Sequence, residues 1–313
     1  MQDRERLAHG HPRFGQGRSG PPRSRQRGSI CGAAALLTAL TAGCSVTTNQ
    51  EPRPGSCTPF QLISLTPDGS SPVRTNSKFV FAFTDFPDPD LAVNANFGIF
   101  SGPYYYTAHE TVDLIGRAIA FKPTSSLPAG LGFTLAMSGR ISSLRGCPLT
   151  PPPPDLPDGK PATSYYFPIE TVEPNVDLPP EPPATPPATF AQVLDVMARH
   201  CAGAACHLDA TAADTDASGG CLAAPGGGLS LCPAQAFHGM IGVPSRQVSR
   251  LTIVVPRDSA RSYLLRKLLD APPVAGHQGP PDDSLTEDEL RALQSWIDDG
   301  APATPPPSAD GGT

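Results

Sequence analysis

The sequence predicts an antiparallel β-sandwich followed by a small all-α domain, with an export leader ahead of both. Three observations carry this. From residue 57 to residue 173, short apolar runs alternate with period two and are broken by Pro, Gly, Asp, Asn and Ser. Residues 174–187 then hold seven prolines in fourteen positions. From 188 to 302 the apolar period becomes helical, with capping residues at its ends.

The chain has 313 residues, a length that suggests two domains, but 40 Pro and 30 Gly leave less of it to fold than the length implies. The formal charge of −6 hides an asymmetry. Residues 1–43 hold seven Arg and two acidic residues; without them 16 basic and 27 acidic residues remain, a net of −11. An acidic mature chain gives no basis for nucleic-acid binding.

At the N-terminus, Arg13, Arg18, Arg23, Arg25 and Arg27 precede an apolar segment from Ile30 to Leu40 and then Thr41-Ala42-Gly43-Cys44. A basic flank, a short apolar stretch and small residues make residues 1–43 an export signal. The apolar stretch is too short for a comfortable membrane span. Small residues before a cysteine resemble the lipobox of bacterial lipoproteins, with Thr41 where Leu is usual. The resemblance implies lipidation of Cys44 and attachment to a membrane of the cell envelope, facing the periplasm or the cell surface, with residues 44–56 as a tether. Ordinary signal cleavage, leaving Cys44 as a thiol, is the other arrangement. Beyond Cys31 and Cys44 six cysteines remain, an even number that reads as disulfides in an exported protein unless a cofactor claims some.

Strands are expected at Gln61–Leu65, Lys78–Phe83, Phe97–Phe100, Thr111–Leu114, Ala118–Phe121, Phe133–Met137 and Ser164–Ile169. Thr66-Pro67-Asp68-Gly69 follows the first of these, Phe121-Lys122-Pro123 precedes Leu127-Pro128-Ala129-Gly130, and Tyr166-Phe167 closes the series. That order resembles bacterial Ig-like domains of the type found in S-layer and other surface proteins, which implies an Ig-like sandwich over 57–173 acting as a spacer or adhesion module. Cys57 and Cys147 bracket most of it, and a disulfide between them is the preferred pairing. His109 sits in a polar context and reads as a surface residue. Tyr104-Tyr105-Tyr106 reads as strand packing with hydroxyls at the rim. The proline run 174–187 favours extended polyproline II and a semi-rigid linker.

In the second domain, 188–302, Thr189 is a candidate N-cap, and Phe190, Val193, Leu194 and Met197 form one stripe of a helix running into His200-Cys201. A second helix is expected from Ser259 to Leu269. A third begins at Thr286-Glu287-Asp288-Glu289, a capping box, and ends before Gly300. Residues 303–313 read as a disordered tail. The first helix delivers Cys201-Ala-Gly-Ala-Ala-Cys206-His207. Two cysteines followed at once by histidine is how a c-type haem is held, the thiols adding to the porphyrin vinyls and the imidazole reaching the iron. Four residues separate these cysteines, where two are usual.

The helix, the Cys-Cys-His run, Val255-Pro256-Arg257-Asp258-Ser259-Ala260-Arg261-Ser262-Tyr263-Leu264-Leu265 and the closing Leu285-Thr286, Glu289-Leu290, Trp296-Ile297-Asp298-Asp299-Gly300-Ala301 together are similar to small cytochrome c-like domains of exported bacterial proteins. The resemblance implies an all-α fold, crossing first and last helices, haem c on Cys201 and Cys206 with His207 as proximal ligand, and one-electron transfer with a redox partner protein. Gly279 stands where that family places a distal Met. His277 is then the candidate distal ligand, with Met240 and His238 in reserve.

The residues themselves leave two haem-free arrangements open. In one, Cys201 pairs with Cys206 and the domain is a disulfide-stabilised scaffold of a surface or adhesion protein. In the other, zinc is held by Cys201, Cys206, His207 and one of Cys221, Cys232 or His200. Cys221 and Cys232 flank a Gly-rich loop and read as a disulfide pinning it. No nucleophile motif, phosphate loop or metalloprotease helix is present, so an electron carrier or structural protein is expected rather than a self-contained enzyme.

Overall fold

The computed structural model describes residues 57–70, 72–155, 162–170, 186–201, 229–275, 279–280 and 285–303. All of them lie in the compact unit Gly43–Thr313. The β-rich half holds eight strands: β1 (Leu62–Thr66), β2 (Phe79–Phe83), β3 (Phe97–Ser101), β4 (Tyr104–Tyr106), β5 (Ala108–Asp113), β6 (Ala118–Pro123), β7 (Gly132–Ser138) and β8 (Ser164–Glu170). They form two four-stranded sheets, ordered β1-β2-β6-β5 and β4-β3-β7-β8, with every pairing antiparallel.

Period-two alternation explains why these segments pair as they do. On β2, Phe79, Phe81 and Phe83 are buried while Val80 and Ala82 turn outward; on β7, Phe133, Leu135 and Met137 do the same. The two inward rows share one core, with the Phe81 and Phe97 rings 5.6 Å apart and Phe97 and Phe121 5.7 Å apart. Each such ring contributes roughly 1.5–3 kcal/mol by leaving water. Cys57 and Cys147 are disulfide-bonded across this core with their Cα atoms 5.4 Å apart.

β4 is a strand in its own right, pairing Phe100 with Tyr105 on its neighbour β3. Gly98 makes room for that pair. A Cβ there would stand 2.5 Å from Phe100 Cε2 and 3.3 Å from Tyr105 Cε2, so only glycine lets the two rings lie over the strand.

The helical half holds α1 (Phe190–Cys201), α2 (Pro233–Met240), α3 (Tyr263–Leu269) and α4 (Glu287–Asp298). Thr189 and Gln192 cap α1 reciprocally: Gln192 N–H donates to Thr189 Oγ1 at 3.3 Å and Thr189 N–H to Gln192 Oε1 at 2.8 Å. Thr286 and Glu289 do the same for α4. The far end of α4 is closed by Gly300 at φ 99°, with Gly300 N–H donating to Ile297 O and Ala301 N–H to Trp296 O at 2.8 Å. That double closure is a Schellman end, and it needs the left-handed backbone glycine supplies.

Two helices differ from expectation. The helix expected from Ser259 starts at Tyr263, because Ser262 Oγ donates to Asp258 O at 2.8 Å and accepts from Val255 N–H at 2.9 Å, holding Val255–Ser262 in a turn. α2 has no counterpart among the expected helices: only eight residues long, it shows too little periodicity to read, and it opens at Pro233 straight after Cys232.

The helical core gathers Val193, Met197, Met240, Leu293 and Trp296, all essentially buried. Phe190 stacks on Trp296 at 5.5 Å and meets Phe237 edge-on at 5.3 Å, while Trp296 Nε1–H donates to Pro302 O. The two halves are packed against each other. Phe86 and Leu114 share a small buried cluster with Ala260, Leu265 and Ala271. Around it, Arg261 donates to Asp90 Oδ1 and Pro89 O, both at 2.9 Å, and Arg291 to Asp113 Oδ2 at 2.7 Å.

Candidate functional site

α1 ends at His200-Cys201, and its last turn is clamped to the start of α4. Arg199 Nη1 donates to Glu289 Oε1 at 2.7 Å, and His200 Nε2 lies 3.0 Å from the same oxygen. The other carboxylate oxygen, Oε2, accepts from Thr286 N–H at 2.9 Å and from its hydroxyl at 3.0 Å. The Thr286 N–H, His200 and the other donors hold the Glu289 carboxyl well below the usual range, at about 2. A carboxylate at the first turn of α4 and basic side chains at the last turn of α1 both suit the helix dipoles. One residue thus caps its own helix and fixes the end of another.

Cys201 follows directly, half-buried at the margin of the helical core, as Leu229 is. Cys206 and His207 lie outside the described residues, as do His277, Cys221 and Cys44. The two sides of His277 are described. Lys267 Nζ donates to Ala275 O at 2.6 Å, and Gly279 N–H donates to Lys267 O at 3.3 Å. Both ends of the short segment carrying His277 are therefore tied to one residue of α3.

Both reserve ligands lie on α2. Met240 is fully buried among apolar side chains of the core. His238 is exposed, its ring edge-on to Phe237 at 5.5 Å. Cys232 is buried and disulfide-bonded. Among the described residues no three His, Cys, Asp or Glu side chains come together in a group able to hold a metal ion. His109 is exposed on β5.

The donor set still suits a covalently held haem on its chemistry. Cys201 stands at a helix end, half-buried beside apolar side chains, and the sequence continues to a second cysteine with a histidine next to it. Sequence reasoning found Glu289 as a cap but missed its grip on α1; the signal available was Arg199-His200 placed at a helix C-terminus. No helix among the described residues is long and apolar enough to cross a membrane.

No protein family model matches the chain, and no curated protein matches it. Among solved structures it is similar to the N-terminal part of the bacterial S-layer protein SbsC, at 16% identity over 36% of this chain and 24% of that one, with a TM-score of 0.26. It is also similar to L,D-transpeptidase 1 of Mycobacterium tuberculosis, at 21% identity over 24% of this chain and 34% of that one, TM-score 0.20. A third is the alpha-2-macroglobulin of E. coli, at 14% identity over 37% of this chain and 6% of that one, TM-score 0.26. The chain spans about a third or less of the length of each.

Proposed function

We propose that the chain is an exported, lipid-anchored cell-envelope protein in which an Ig-like β-sandwich carries a cytochrome c-like domain for one-electron transfer. The observation that carries this reading is the clamp of α1 onto the start of α4, which holds Cys201 at the margin of the helical core. Cys201 and Cys206 would hold haem c through thioethers, and His207 and His277 would ligate its iron. Bound haem supplies the electron exchange; ligation by two histidines favours a lower potential than His/Met. The chain's own contribution is to fix the thiol-bearing helix end, through Arg199, His200 and Glu289, and to exclude water through the aromatic packing of Phe190, Phe237 and Trp296. Lipidation of Cys44 would keep the protein at the membrane for its redox partner.

The second reading is a haem-free surface scaffold. The buried, disulfide-bonded Cys232 and the close packing of the two halves favour it, since both are what a structural module needs.

The test is to express the whole chain in a periplasm with cytochrome c maturation machinery, then record an absorption spectrum and a haem stain of the denatured protein. A Soret band with reducible α and β bands, and haem that stays with the denatured chain, supports the cytochrome. A colourless folded protein rejects it and leaves the scaffold.

A further inference from the structure

One outer face of the sandwich meets the helical half: Val80 and Ala120, on the β1-β2-β6-β5 sheet, line a cleft together with Arg291 and Gln294 of α4. The other outer face, on β4-β3-β7-β8, turns an aromatic patch to solvent. A solvated face of an antiparallel sheet is normally polar. This one sets Tyr105, Phe100, Thr134 and Pro168 side by side in one cross-strand row. Gly98, Ala136 and Tyr166 make the next row. Phe100, Tyr105 and Tyr166 are 38, 45 and 56% exposed, while Tyr106 packs inward on Phe133.

Small residues set the form of the patch, and its size and charge decide what it fits. The Phe100 and Tyr105 rings, 5.3 Å apart, lie over Gly98, and Ala136 continues the low ground to Tyr166. Strands stand about 4.8 Å apart, so the aromatic residues spread over roughly 14 Å from β4 to β8. Two rows of that width cover roughly 200–300 Å², well short of the about 800 Å² per partner that a stable protein pair buries. Strand addition is disfavoured at both edges: β4 has only three residues, and Pro168 on β8 has no N–H to donate. Two carboxylates border the patch, Glu170 at the end of β8 and Glu110 on β5, whose charge reaches Tyr105. Their charge repels an acidic polymer or an anionic membrane surface.

We infer that this face binds a neutral, β-linked polysaccharide chain, with pyranose rings stacked on Phe100, Tyr105 and Tyr166. A pyranose with equatorial hydroxyls presents flat C–H faces, apolar enough to lie on aromatic rings, and a rim of hydroxyls. Tyrosine meets both, with a broad apolar ring and a polar tip. The Tyr105 and Tyr166 hydroxyls make no hydrogen bond among the described residues, so each has one to exchange with that rim. Burial and the Glu110 carboxylate push the Tyr105 phenol above its ordinary 10, which keeps it a donor at neutral pH. The inference goes beyond electron transfer and does not depend on haem attachment.

Isothermal titration of the whole mature chain with cellohexaose, chitohexaose and hexagalacturonic acid tests it. At least one of the two neutral chains should bind saturably, with an affinity that salt leaves unchanged, and the acidic chain should bind more weakly. Phe100→Thr and Tyr166→Thr should each weaken the neutral binding roughly three- to tenfold. Threonine suits a strand, and Tyr166 is the more exposed of the two, so Tyr166→Thr should melt close to the parent even where Phe100→Thr loosens β4. Sedimentation of the parent and of Tyr166→Thr checks for pairing of two chains through this face. No binding of either neutral chain, equal binding of the acidic one, an affinity unchanged by Tyr166→Thr, or a dimer that Tyr166→Thr dissolves overturns the inference.

Discussion

Arg291 and Asp113 stand 178 positions apart, yet guanidinium and carboxylate meet at 2.7 Å, the first on α4 and the second at the end of β5. The other oxygen of Asp113 accepts from Gln294 Nε2 at 3.2 Å, so one β-strand carboxylate takes two donors from successive turns of a helix. A double-mutant cycle on Arg291→Ala and Asp113→Ala, read by chemical denaturation, should give a coupling of about 0.5–1 kcal/mol, since both side chains are partly exposed. A coupling near zero would mean that the apolar cluster beneath them does all the holding.

That cluster centres on Leu265, which is fully buried between the halves. Leu265→Ala should cost about 3 kcal/mol in equilibrium denaturation. If the halves melt as one, the whole transition should move; a change confined to one of two transitions would show them to be separate cooperative units.

Glu289 sets an acid limit on the clamp between α1 and α4. Its folded pKa of about 2 lies below the ordinary 4.5, so the stability it contributes is full above pH 4.5 and is lost as pH falls towards 2. Stability curves of the parent and Glu289→Gln should differ near neutrality and converge at the acid end. Parallel curves across that window would rule out the clamp as their cause.

Thr286→Ala removes the hydroxyl that accepts from Glu289 N–H, and should cost about 1 kcal/mol. Thr286→Ser should restore most of it. Thermal melts of the three proteins decide between a capping role and simple loss of a methyl group.

Breaking the Cys57–Cys147 disulfide with Cys57→Ser removes a covalent closure between residues 90 positions apart. A loop of that length predicts a loss of about 4 kcal/mol, measurable as a shift in the denaturation midpoint.

The strands were legible wherever one face is buried and the other wet, as on β2 and β7, because alternation then shows directly in the letters. β4 was legible only as strand packing of its three tyrosines: a run without alternation gives no register, and the room that Gly98 leaves for Phe100 and Tyr105 shows only in the fold. α4 was legible because Thr286, Glu289 and Gly300 are local signals at both of its ends. α2 has none so clear, and α3 starts late because a serine side chain competes for its backbone. The packing of the two halves was invisible, since Arg261, Arg291, Asp90 and Asp113 each read as ordinary surface charges until the fold brings them together. At the candidate site, the thiol-bearing helix was readable from its stripe, whereas Glu289's second role needed three dimensions.

The Cys57–Cys147 disulfide also decides how this molecule would bear load. A pull applied through the chain before Cys57 passes across the sulfur bridge straight to Cys147, so β1 to β7 stand off the line of force. Among the described elements, a pull that continues past Cys147 then falls on β8 and the helical half, while β1 to β7 travel as one closed loop.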